Sequence, residues 1–463
     1  MPSEKHFSLL GTIRASKPIT RMIQDALEKL LAGEHLSAPE IENAVECFLA
    51  KRATVTSLAA FLTAWKLKGK TQEEQAGFDT ALSRHRIDGP SQVTAFTLGY
   101  DSGDPTECPN LAAAEATIER GQSLSRREAE MALEDMLSGR VREARIAAFL
   151  TALRFKGETV DEVVGFATAM RRHAPRMFVD GHPIAEEALV DTCGTGGDAL
   201  GTFNISTATA LVVAGAGVRV AKHGNRSATS LCGSADVLEE FGMRIDLSPE
   251  RVARAIEEVG IGFLFAPGMH SATRHVAKVR RELKIRTVFN LLGPLTNPAG
   301  ASAQVVGVYD PGVTELMARA LGELGVKRAF VVHGADGLDE ISISGETRVS
   351  ELRDGGVRNY TLTPEDFGVQ RASLEAIRGG DPKRNAEIIR GVLERSTDHG
   401  HEPHRDIVLA NASAALVAAG HAGDFREGVR IAAESIDSGA ARAKLEKLIA
   451  FSQSEAGSAS SAS

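Results

Sequence analysis

Glycines and hydroxyl side chains follow a short apolar stretch near the middle of the chain. Ala188–Asp191 is predicted to be a strand, and it leads directly into Cys193–Thr207, CGTGGDALGTFNIST. Glycines allow a backbone to approach a ligand closely. A helix that begins near Asn204 would present N–H groups and the positive end of its dipole. The segment is neither a Walker loop nor a GxGxxG fingerprint, but it predicts a cradle for a phosphate or another small anion.

A second polar segment, Lys222–Asp236, follows the next predicted strand, Val218–Ala221. Its sequence, KHGNRSATSLCGSAD, surrounds one glycine with a lysine, a histidine, an asparagine and an arginine, and serine and threonine hydroxyls follow. The carboxyl ends of parallel strands meet at one edge of a sheet. We therefore expect the two segments to face one cleft.

Two charged segments complete the candidate site. The predicted helix His270–Arg286 is rich in arginine and lysine, in a chain whose net charge is −8. The segment Gly334–Ser342, GADGLDEIS, follows the predicted strand Arg328–His333 and holds the adjacent carboxylates of Asp339 and Glu340. Such carboxylates are hard oxygen ligands suited to Mg²⁺. A solvated basic face and a plain acidic turn are the alternative interpretations of these two segments.

Taken together, these groups suit a phosphorylated or pyrophosphorylated small molecule. Mg²⁺ and fixed donors would stabilise the charge that grows on the leaving group as a bond breaks. No Ser-His-Asp order stands out, and no signature marks a covalent nucleophile. The residues by themselves leave open which group is transferred.

The elements that must position these groups fall into two classes. From about Glu187, short β-branched stretches alternate with helical patterns, which predicts a mainly parallel sheet covered by helices. The earlier part is a repeat, because Gly33–His85 aligns with Gly121–His173 without a gap and about half of the positions are identical. Each copy begins with the pattern of a capping box, Ser37 with Glu40 and Ser125 with Glu128.

The predicted fold class is therefore α/β: a small all-helical domain and a larger α/β domain with a mainly parallel central sheet, preceded by a duplicated helical module. We expect the extra helical module over 1–88, as a repeat of 121–173, and a linker over 89–110. The helical domain of the catalytic unit is expected over 111–180, and it also receives helices from about 270–286. The α/β domain is expected over 181–453 and a disordered tail over 454–463.

Composition restricts the classes of protein. The chain has 463 residues, of which 43% are hydrophobic, with 53 basic and 61 acidic side chains. An acidic balance argues against bulk nucleic-acid binding. The four cysteines form no CxxC pair, so a zinc site and a disulfide framework are not indicated. We see neither a secretory signal nor an apolar run long enough for a membrane helix, and expect a soluble cytoplasmic protein.

Five motifs occur in an order and at a spacing similar to those of a known family: GTGGD, FNIST, KHGNR, CGSADVLE and NLLGPLTNP. Together they closely resemble the anthranilate phosphoribosyltransferase family of tryptophan biosynthesis, and the resemblance covers roughly 111–453. It implies transfer of phosphoribose from phosphoribosyl pyrophosphate (PRPP) to the amine of anthranilate, with release of pyrophosphate. The fold implied is that of nucleoside phosphorylases and related phosphoribosyltransferases. It also implies Mg²⁺ as cofactor and a homodimer that contacts through the helical domain.

The resemblance assigns roles to residues of this sequence. Lys222 and Arg226 would stabilise charge, and no residue would act as a general acid or base. Anthranilate would contact Gly194, Asn225 and Arg280, with Arg280 facing its carboxylate. Mg²⁺ would be held by Ser206, Asp339 and Glu340, partly through water and pyrophosphate. PRPP would be bound by the residues Gly194, Gly197, Asp198, Thr202, Asn204, Ile205, Ser206, Thr207, Lys222, His223, Gly224, Asn225, Arg226, Ser227, Ala228, Thr229, Ser230 and Ser234.

The large departure from the family pattern is the first 110 residues, because the family normally begins near Leu111 with one helical module. The extra module is expected to be noncatalytic and to dock on its duplicate, extend a dimer surface or bind a partner. Two rival functions remain at this point. One is a pyrimidine nucleoside phosphorylase-like enzyme, which KHGNR and the Asp339–Glu340 pair fit poorly. The other is a noncatalytic relative that binds nucleotides or nucleic acid.

Overall fold

The computed structural model describes residues 19–50, 53–87, 107–178, 181–197, 200–227, 231–394 and 402–454. These residues divide into two compact units. The first contains the described residues up to Gln122, together with Ser138–Gly157 and His275–Thr287. The second contains Ser123–Leu137, Glu158–Arg274 and the residues from Val288 onward.

The repeated sequence forms two sets of four helices. The first copy consists of α1 (Ile19–Leu31), α2 (Ala38–Leu49), α3 (Val55–Lys68) and α4 (Gln72–Arg84). The second consists of α5 (Pro109–Glu119), α6 (Arg126–Leu137), α7 (Glu143–Lys156) and α8 (Val160–His173). Helices α5 and α7 belong to the first unit, and α6 and α8 belong to the second.

Equivalent residues of the two copies make the same buried hydrogen bonds. Glu74 is fully buried, and its carboxylate accepts the backbone N–H of Leu36 at 2.8 Å. Its counterpart Glu162 is also fully buried and accepts the N–H of Leu124 at 2.8 Å. Both glutamates complete capping boxes at the start of their helices, α4 and α8. The duplication is therefore retained in the local structure and not only in the sequence.

The capping boxes predicted at the start of α2 and α6 are confirmed. The carboxylate of Glu40 accepts the N–H of Ser37 at 2.9 Å, and that of Glu128 accepts the N–H of Ser125 at 2.8 Å. Each bond satisfies a donor that a helix start leaves without an intrahelical partner. These short-range bonds fix where the two helices begin.

The second unit is built on a seven-stranded sheet with the order β3-β2-β1-β4-β5-β6-β7. The first five strands of this order are parallel, and β6 and β7 are antiparallel. The prediction of a mainly parallel sheet is confirmed. The strands are β1 (Leu189–Gly194), β2 (Arg219–Gly224), β3 (Ile261–Phe265), β4 (Ala303–Gly307), β5 (Arg328–Gly334), β6 (Thr347–Arg353) and β7 (Gly356–Leu362).

Thirteen further helices are described after α8. Helix α10 is apolar on all sides and packs against α19, α20, α21 and the strands β1 and β2, so it forms part of the core. The helices are α9 (Pro183–Glu186), α10 (Ile205–Gly215), α11 (Ser234–Glu240), α12 (Pro249–Glu258), α13 (Ala266–Met269), α14 (Arg274–Leu283), α15 (Val288–Leu295), α16 (Thr314–Glu323), α17 (Pro364–Phe367), α18 (Pro382–Leu393), α19 (Pro403–Ala418), α20 (Phe425–Asp437) and α21 (Ala440–Gln453).

Three predicted boundaries are wrong. Strand β1 continues past Asp191 to Gly194, because it pairs with β4 up to that residue. Strand β2 continues to Gly224, because it pairs with β3 along its whole carboxyl half, so Lys222 and His223 lie in the strand and not in a loop. The predicted helix His270–Arg286 is a 3₁₀ turn followed by α14, which ends before Lys284, a residue with a φ of 51°. A positive φ in a residue other than glycine is incompatible with continuing a right-handed helix.

The four cysteines are all buried as thiols. Within the described ranges, no helix is both long enough and apolar enough to cross a membrane.

Candidate active site

The sheet has a topological switch point between β1 and β4. The chain proceeds from β1 outward to β2 and β3 on one side, and from β4 outward to β5 on the other. Ligands of open α/β sheets bind outside the carboxyl ends of the strands at such a point. Strands β1 and β4 end there at Gly194 and Gly307, and the N–H of Thr195 donates to the carbonyl of Gly307 at 2.9 Å. The two loops predicted to bind substrate leave this edge from β1 and β2.

Asp339 lies against both strand ends at the switch point. A Cβ atom on Gly194 would be 3.1 Å from the Asp339 Oδ2 atom. A Cβ on Gly307 would be 1.5 Å from the Asp339 carbonyl oxygen, so no side chain fits at that position. The two glycines therefore allow the segment after β5 to close onto β1 and β4, which brings the predicted metal ligand to the predicted PRPP cradle.

The glycine loop after β1 has the backbone that its sequence predicts. Gly196, Gly197 and Gly201 have φ angles of 66°, 88° and 70°, which favour glycine. Asn204 is the residue before the first turn of α10, and its side chain is held in place by hydrogen bonds to Cys232 and Asn385. Its Nδ2 donates to the Cys232 carbonyl at 3.1 Å, and its Oδ1 accepts from Asn385 at 2.9 Å. The positive end of the helix dipole therefore meets the loop in a fixed position.

Lys222 is almost completely buried and reaches from β2 to the start of α10. Its Nζ donates to the Thr192 carbonyl at 2.5 Å and to the Ser206 Oγ at 3.3 Å. Thr192 in turn donates from Oγ1 to the Ser206 carbonyl at 2.9 Å. The ammonium group thus places a positive charge next to the hydroxyl of Ser206, a predicted metal ligand. Its hydrogen bonds connect β2, which carries Lys222, to β1 and α10.

Two predicted PRPP ligands have side chains that face the core instead. Ile205 is 1% exposed and Thr207 is 2% exposed, and both belong to helix α10 where it packs on other helices. Only their backbone groups are therefore available to a ligand. By contrast, Thr202, Asn204 and Ser206 are half-buried.

The loop after β2 is held in shape by the start of helix α11. A Cβ on Gly233 would lie 2.3 Å from the Ser227 nitrogen, so the two segments are in direct contact. The Asn225 carbonyl accepts the N–H of Ala235 at 3.2 Å. The Asp236 carboxylate accepts the N–H groups of Ser227 and Gly233 at 3.1 and 2.8 Å. The predicted loop is therefore preorganised, with Asn225 exposed and Ser234 half-buried beside Gly224.

Arg226 is engaged by acidic residues of α11. Its Nη1 is 3.0 Å from the Asp236 Oδ1 and its Nη2 donates to the Glu239 Oε1 at 2.7 Å. These carboxylates raise the pKa of Arg226 further above its ordinary value. The side chain is half exposed. To contact a phosphate, the guanidinium group would have to break its bond to one of the two carboxylates or bind the phosphate and the carboxylate at the same time.

His223 belongs to a buried network beneath the same edge. The Asp191 carboxylate accepts the His223 backbone N–H at 3.1 Å and the Asn297 Nδ2 at 2.8 Å. Burial raises the pKa of Asp191, and the charge of Lys222 opposes that effect. The His223 ring donates from Nδ1 to the Gly293 carbonyl at 3.1 Å. Asp191 and Asn297 thus fix the backbone that carries the predicted ligands.

The ring of His223 lies 5.3 Å from that of His270 in an edge-on arrangement. Burial, together with the nearby His270, lowers the pKa of His223 to about 3. Burial alone lowers the pKa of His270 to about 4. The Nε2 of His223 and both ring nitrogens of His270 have no hydrogen-bond partner among the described residues. Both rings are therefore neutral at pH 7.

The carboxylates after β5 divide into two roles. Asp336 closes the turn, because its Oδ1 accepts the N–H of Leu338 at 3.1 Å and its Oδ2 accepts the hydroxyl of Ser342 at 2.5 Å. Asp339 and Glu340 are half-buried next to the switch point. The described residues contain no group of three or more histidine, cysteine or acidic side chains that could hold a metal. Two carboxylates and a hydroxyl fit Mg²⁺ only if substrate oxygens and water complete the shell, as is usual for this ion.

Arg280 lies on α14 in the first compact unit, so its place in the site remains a prediction. It is half-buried, and burial lowers the pKa of its guanidinium group. Four predicted PRPP ligands lie outside the described residues: Asp198, Ala228, Thr229 and Ser230.

The sequence did not single out three residues that organise the site: Asp191, His270 and Asn297. Asn297 lies within NLLGPLTNP, and only its membership of that motif distinguishes it in the sequence. Asp191 could have been recognised from the sequence, because it is a charged residue at the end of an otherwise apolar predicted strand. A carboxylate that is buried at such a position needs polar partners, which makes it a candidate for organising a site.

Two family models match the chain. One, described as "Glycosyl transferase family, a/b domain", matches residues 186–442. The other, "Glycosyl transferase family, helical bundle domain", matches twice, at 24–85 and 116–174. The second match agrees with the repeat and the two sets of helices.

Curated relatives match most of their own length. An anthranilate phosphoribosyltransferase of Symbiobacterium thermophilum is 58% identical over 334 residues, which cover 72% of this chain and 95% of that protein. One of Moorella thermoacetica is 54% identical over 344 residues, 74% of this chain and 99% of that protein. About a quarter of this chain therefore lies outside each match.

Solved structures give the same result. The anthranilate phosphoribosyltransferase of Thermus thermophilus is similar with a TM-score of 0.68 and 46% identity, over 74% of this chain and 99% of that one. That of Saccharomyces cerevisiae, in complex with PRPP and Mg, has a TM-score of 0.67 and 29% identity over 75% and 99%. The Saccharomyces protein has also been solved in complex with 4-fluoroanthranilate. The second unit's switch-point site and these matches together lead to one conclusion: the chain belongs to the anthranilate phosphoribosyltransferase family.

Proposed function

We propose that the chain transfers the phosphoribosyl group of PRPP to the amine of anthranilate, which yields N-(5-phosphoribosyl)anthranilate and pyrophosphate for tryptophan biosynthesis. The observation that carries the proposal is the meeting of Ser206, Lys222 and Asp339 around the ends of β1, β2 and β4. A hydroxyl, a buried ammonium and a carboxylate at a switch point suit a pyrophosphorylated substrate better than any neutral one.

PRPP would lie over the glycine loop and the start of α10. Backbone N–H groups and the helix dipole favour anionic oxygens there. Lys222 would act through its charge, because its three-per-cent exposure leaves little room for direct contact. Arg226 would bind a phosphate from its exposed side while Asp236 and Glu239 hold it. Asn225 and Ser227, on a loop fixed by Gly233, would contact the ribose and its phosphates.

Mg²⁺ would be held by Ser206, Asp339 and Glu340, with substrate oxygens and water completing the shell. When bound, the ion would neutralise charge on the departing pyrophosphate. The fit rests on the hard oxygen atoms of these three side chains, and on the closeness of Asp339 to Gly194.

Anthranilate would enter beside Gly194 and Asn225, with Arg280 facing its carboxylate. His223 would line this entry as a neutral ring, since burial keeps its pKa at about 3. A neutral imidazole ring does not compete with Arg280 for the anthranilate carboxylate, and it does not protonate the attacking amine.

In the reaction, the bond from ribose C1 to the pyrophosphate oxygen breaks and a bond from the anthranilate nitrogen to C1 forms. The electron pair leaves with pyrophosphate, and the amine loses one proton. An aromatic amine attacks as the free base, so the chain's contribution is positioning and stabilisation of charge. No residue is assigned as general acid or base. A cytoplasmic location, the predicted domain boundaries and the homodimer that the resemblance implies stay predictions for this chain.

Anthranilate fluorescence, followed over time with the purified full chain, PRPP and Mg²⁺, tests the proposal. We expect a loss of fluorescence that needs PRPP and is abolished by EDTA. The matched control omits PRPP. A folded protein that leaves the fluorescence unchanged in the presence of PRPP and Mg²⁺ would refute the proposed activity.

A further inference from the structure

Helices α3 and α7 occupy the same position in the two copies of the repeat. Ala59–Thr71 contains most of α3, and its counterpart Ala147–Thr159 contains most of α7. Within the first unit, α3 packs along α7. Helix α1 packs on α3 just as α5 packs on α7, so the surroundings of the two helices also correspond. Contact between equivalent elements of two copies is the pattern of a twofold, isologous interface.

Helix α3 uses one face for its own module. The Phe61 ring lies 5.9 Å from that of Phe48 in α2, and the Trp65 ring lies 5.0 Å from that of Phe78 in α4. The Trp65 Nε1 also donates to Glu74 at 3.0 Å. This face therefore fills the core of the first copy.

The opposite face of α3 is buried too, although its own module does not need it. Thr56 and Ala59 lie roughly half a turn away from Phe61, and they are 2% and 0% exposed. Thr63 continues this face one turn later and is half-buried. Small side chains allow two helices to approach closely. Since α7 packs along α3, we infer that α7 covers this face.

From Ala144 to Leu153, every residue of α7 is buried. Its face equivalent to that of α3 consists of Ala144, Ala147 and Thr151, which are 8%, 0% and 0% exposed. Without the first copy, this face of α7 would be an exposed apolar strip, and such strips are sites of association.

We propose that the first module takes the place of a second copy of the chain. Chains that lack this module would pair through the exposed face of α7. In the full chain α3 covers that face, so the full chain is a monomer. The occupant of the face is α3 itself, because it carries small residues at the equivalent positions: Thr56, Ala59 and Thr63 correspond to Ala144, Ala147 and Thr151. This proposal and the homodimer that the resemblance implies exclude each other, so a measurement of the oligomeric state decides between them. The inference does not rest on the proposed activity, since association can be measured without substrate.

Sedimentation equilibrium of the full chain over a wide range of concentrations tests the oligomeric state. We expect the mass of one chain, 49.1 kDa, throughout. A dimer of twice this mass would overturn the proposal, whether it forms by direct pairing of α7 or by exchange of modules between chains.

The variant Ala59→Arg tests the contact itself, because it places a long charged side chain on the buried face of α3. Its matched control is Ala76→Arg, at an exposed position on α4 of the same module. We expect the control to behave as the wild type. We expect Ala59→Arg either to shift toward a dimer or to lose hydrogen-exchange protection in the peptides of α7. Unchanged mass together with unchanged protection of α7 would overturn the proposal. If Ala59→Arg does not fold, Thr63→Lys on the same face, at a less buried position, gives the same readouts.

Discussion

The variant His270→Phe should make the chain less sensitive to mild acid. Both nitrogens of the His270 ring are buried without a hydrogen-bond partner among the described residues, and burial lowers its pKa from 6.5 to about 4. Between these two values the unfolded chain binds the proton and the folded chain does not. Stability is therefore complete above pH 6.5 and falls as the pH decreases toward 4. Phenylalanine fills a similar volume and cannot titrate.

The magnitude follows from the two pKa values. At pH 5, one and a half units below the ordinary pKa, the penalty for keeping this ring neutral is about 2 kcal/mol. On going from pH 7.5 to pH 5, His270→Phe should thus lose about 2 kcal/mol less unfolding free energy than the wild type. His223 would contribute in the same direction in both proteins, so it largely cancels from the difference.

Denaturant unfolding at the two pH values provides the measurement. The only tryptophan, Trp65, lies in the first module, so its fluorescence would report the wrong unit. Far-UV circular dichroism follows the helices and strands of both units and therefore includes the unit that contains His270. His421→Phe, at an exposed position, controls for the added aromatic ring. An equal loss of stability in wild type and His270→Phe would refute the argument that this ring is held neutral.

Three further predictions concern the site. Asp339→Asn combined with Glu340→Gln should lower Mg²⁺-dependent turnover by about 100-fold, and normal turnover at saturating Mg²⁺ would remove these residues from the metal site. Arg280→Ala should raise the KM for anthranilate by about 10- to 100-fold, the value of one charged hydrogen bond, while Arg281→Ala on the exposed side of α14 should not; an unchanged KM would exclude Arg280 from that role. Gly307→Ala should destabilise the fold by about 1–3 kcal/mol, because its Cβ would overlap the Asp339 carbonyl, and an unchanged unfolding midpoint would contradict this packing.

The features that the sequence predicts best are local ones. The capping boxes of Ser37 and Ser125 and the glycine loop of Gly196 and Gly197 depend on residues a few positions apart, and they occur as expected. The repeat was visible because its two copies keep the same spacing without a gap. The mainly parallel sheet followed from the alternation of strands and helices.

The features that the sequence did not predict depend on distant partners. Strand β1 runs on through Cys193 and Gly194 because β4 pairs with it there, although glycine is depleted in strands. The pairing of Arg226 with Glu239 and the burial of Lys222 depend on how α10 and α11 pack on the sheet. His223 and His270 are brought together from different strands and turns, and no spacing in the sequence announces their contact.

The packing of α3 on α7 has a consequence for how the two copies can change. When two identical chains pair, every substitution appears on both sides of the axis and must be tolerated twice. Two copies within one gene product can drift independently. On α7, Arg145 makes a bidentate bond with Glu115 of α5, with its shortest contact at 2.8 Å, whereas the equivalent positions of the first copy hold Ser57 and the buried Leu27. The second copy has a salt bridge at positions where the first copy has a serine and a leucine, so the fused pair is free to evolve as two unequal halves.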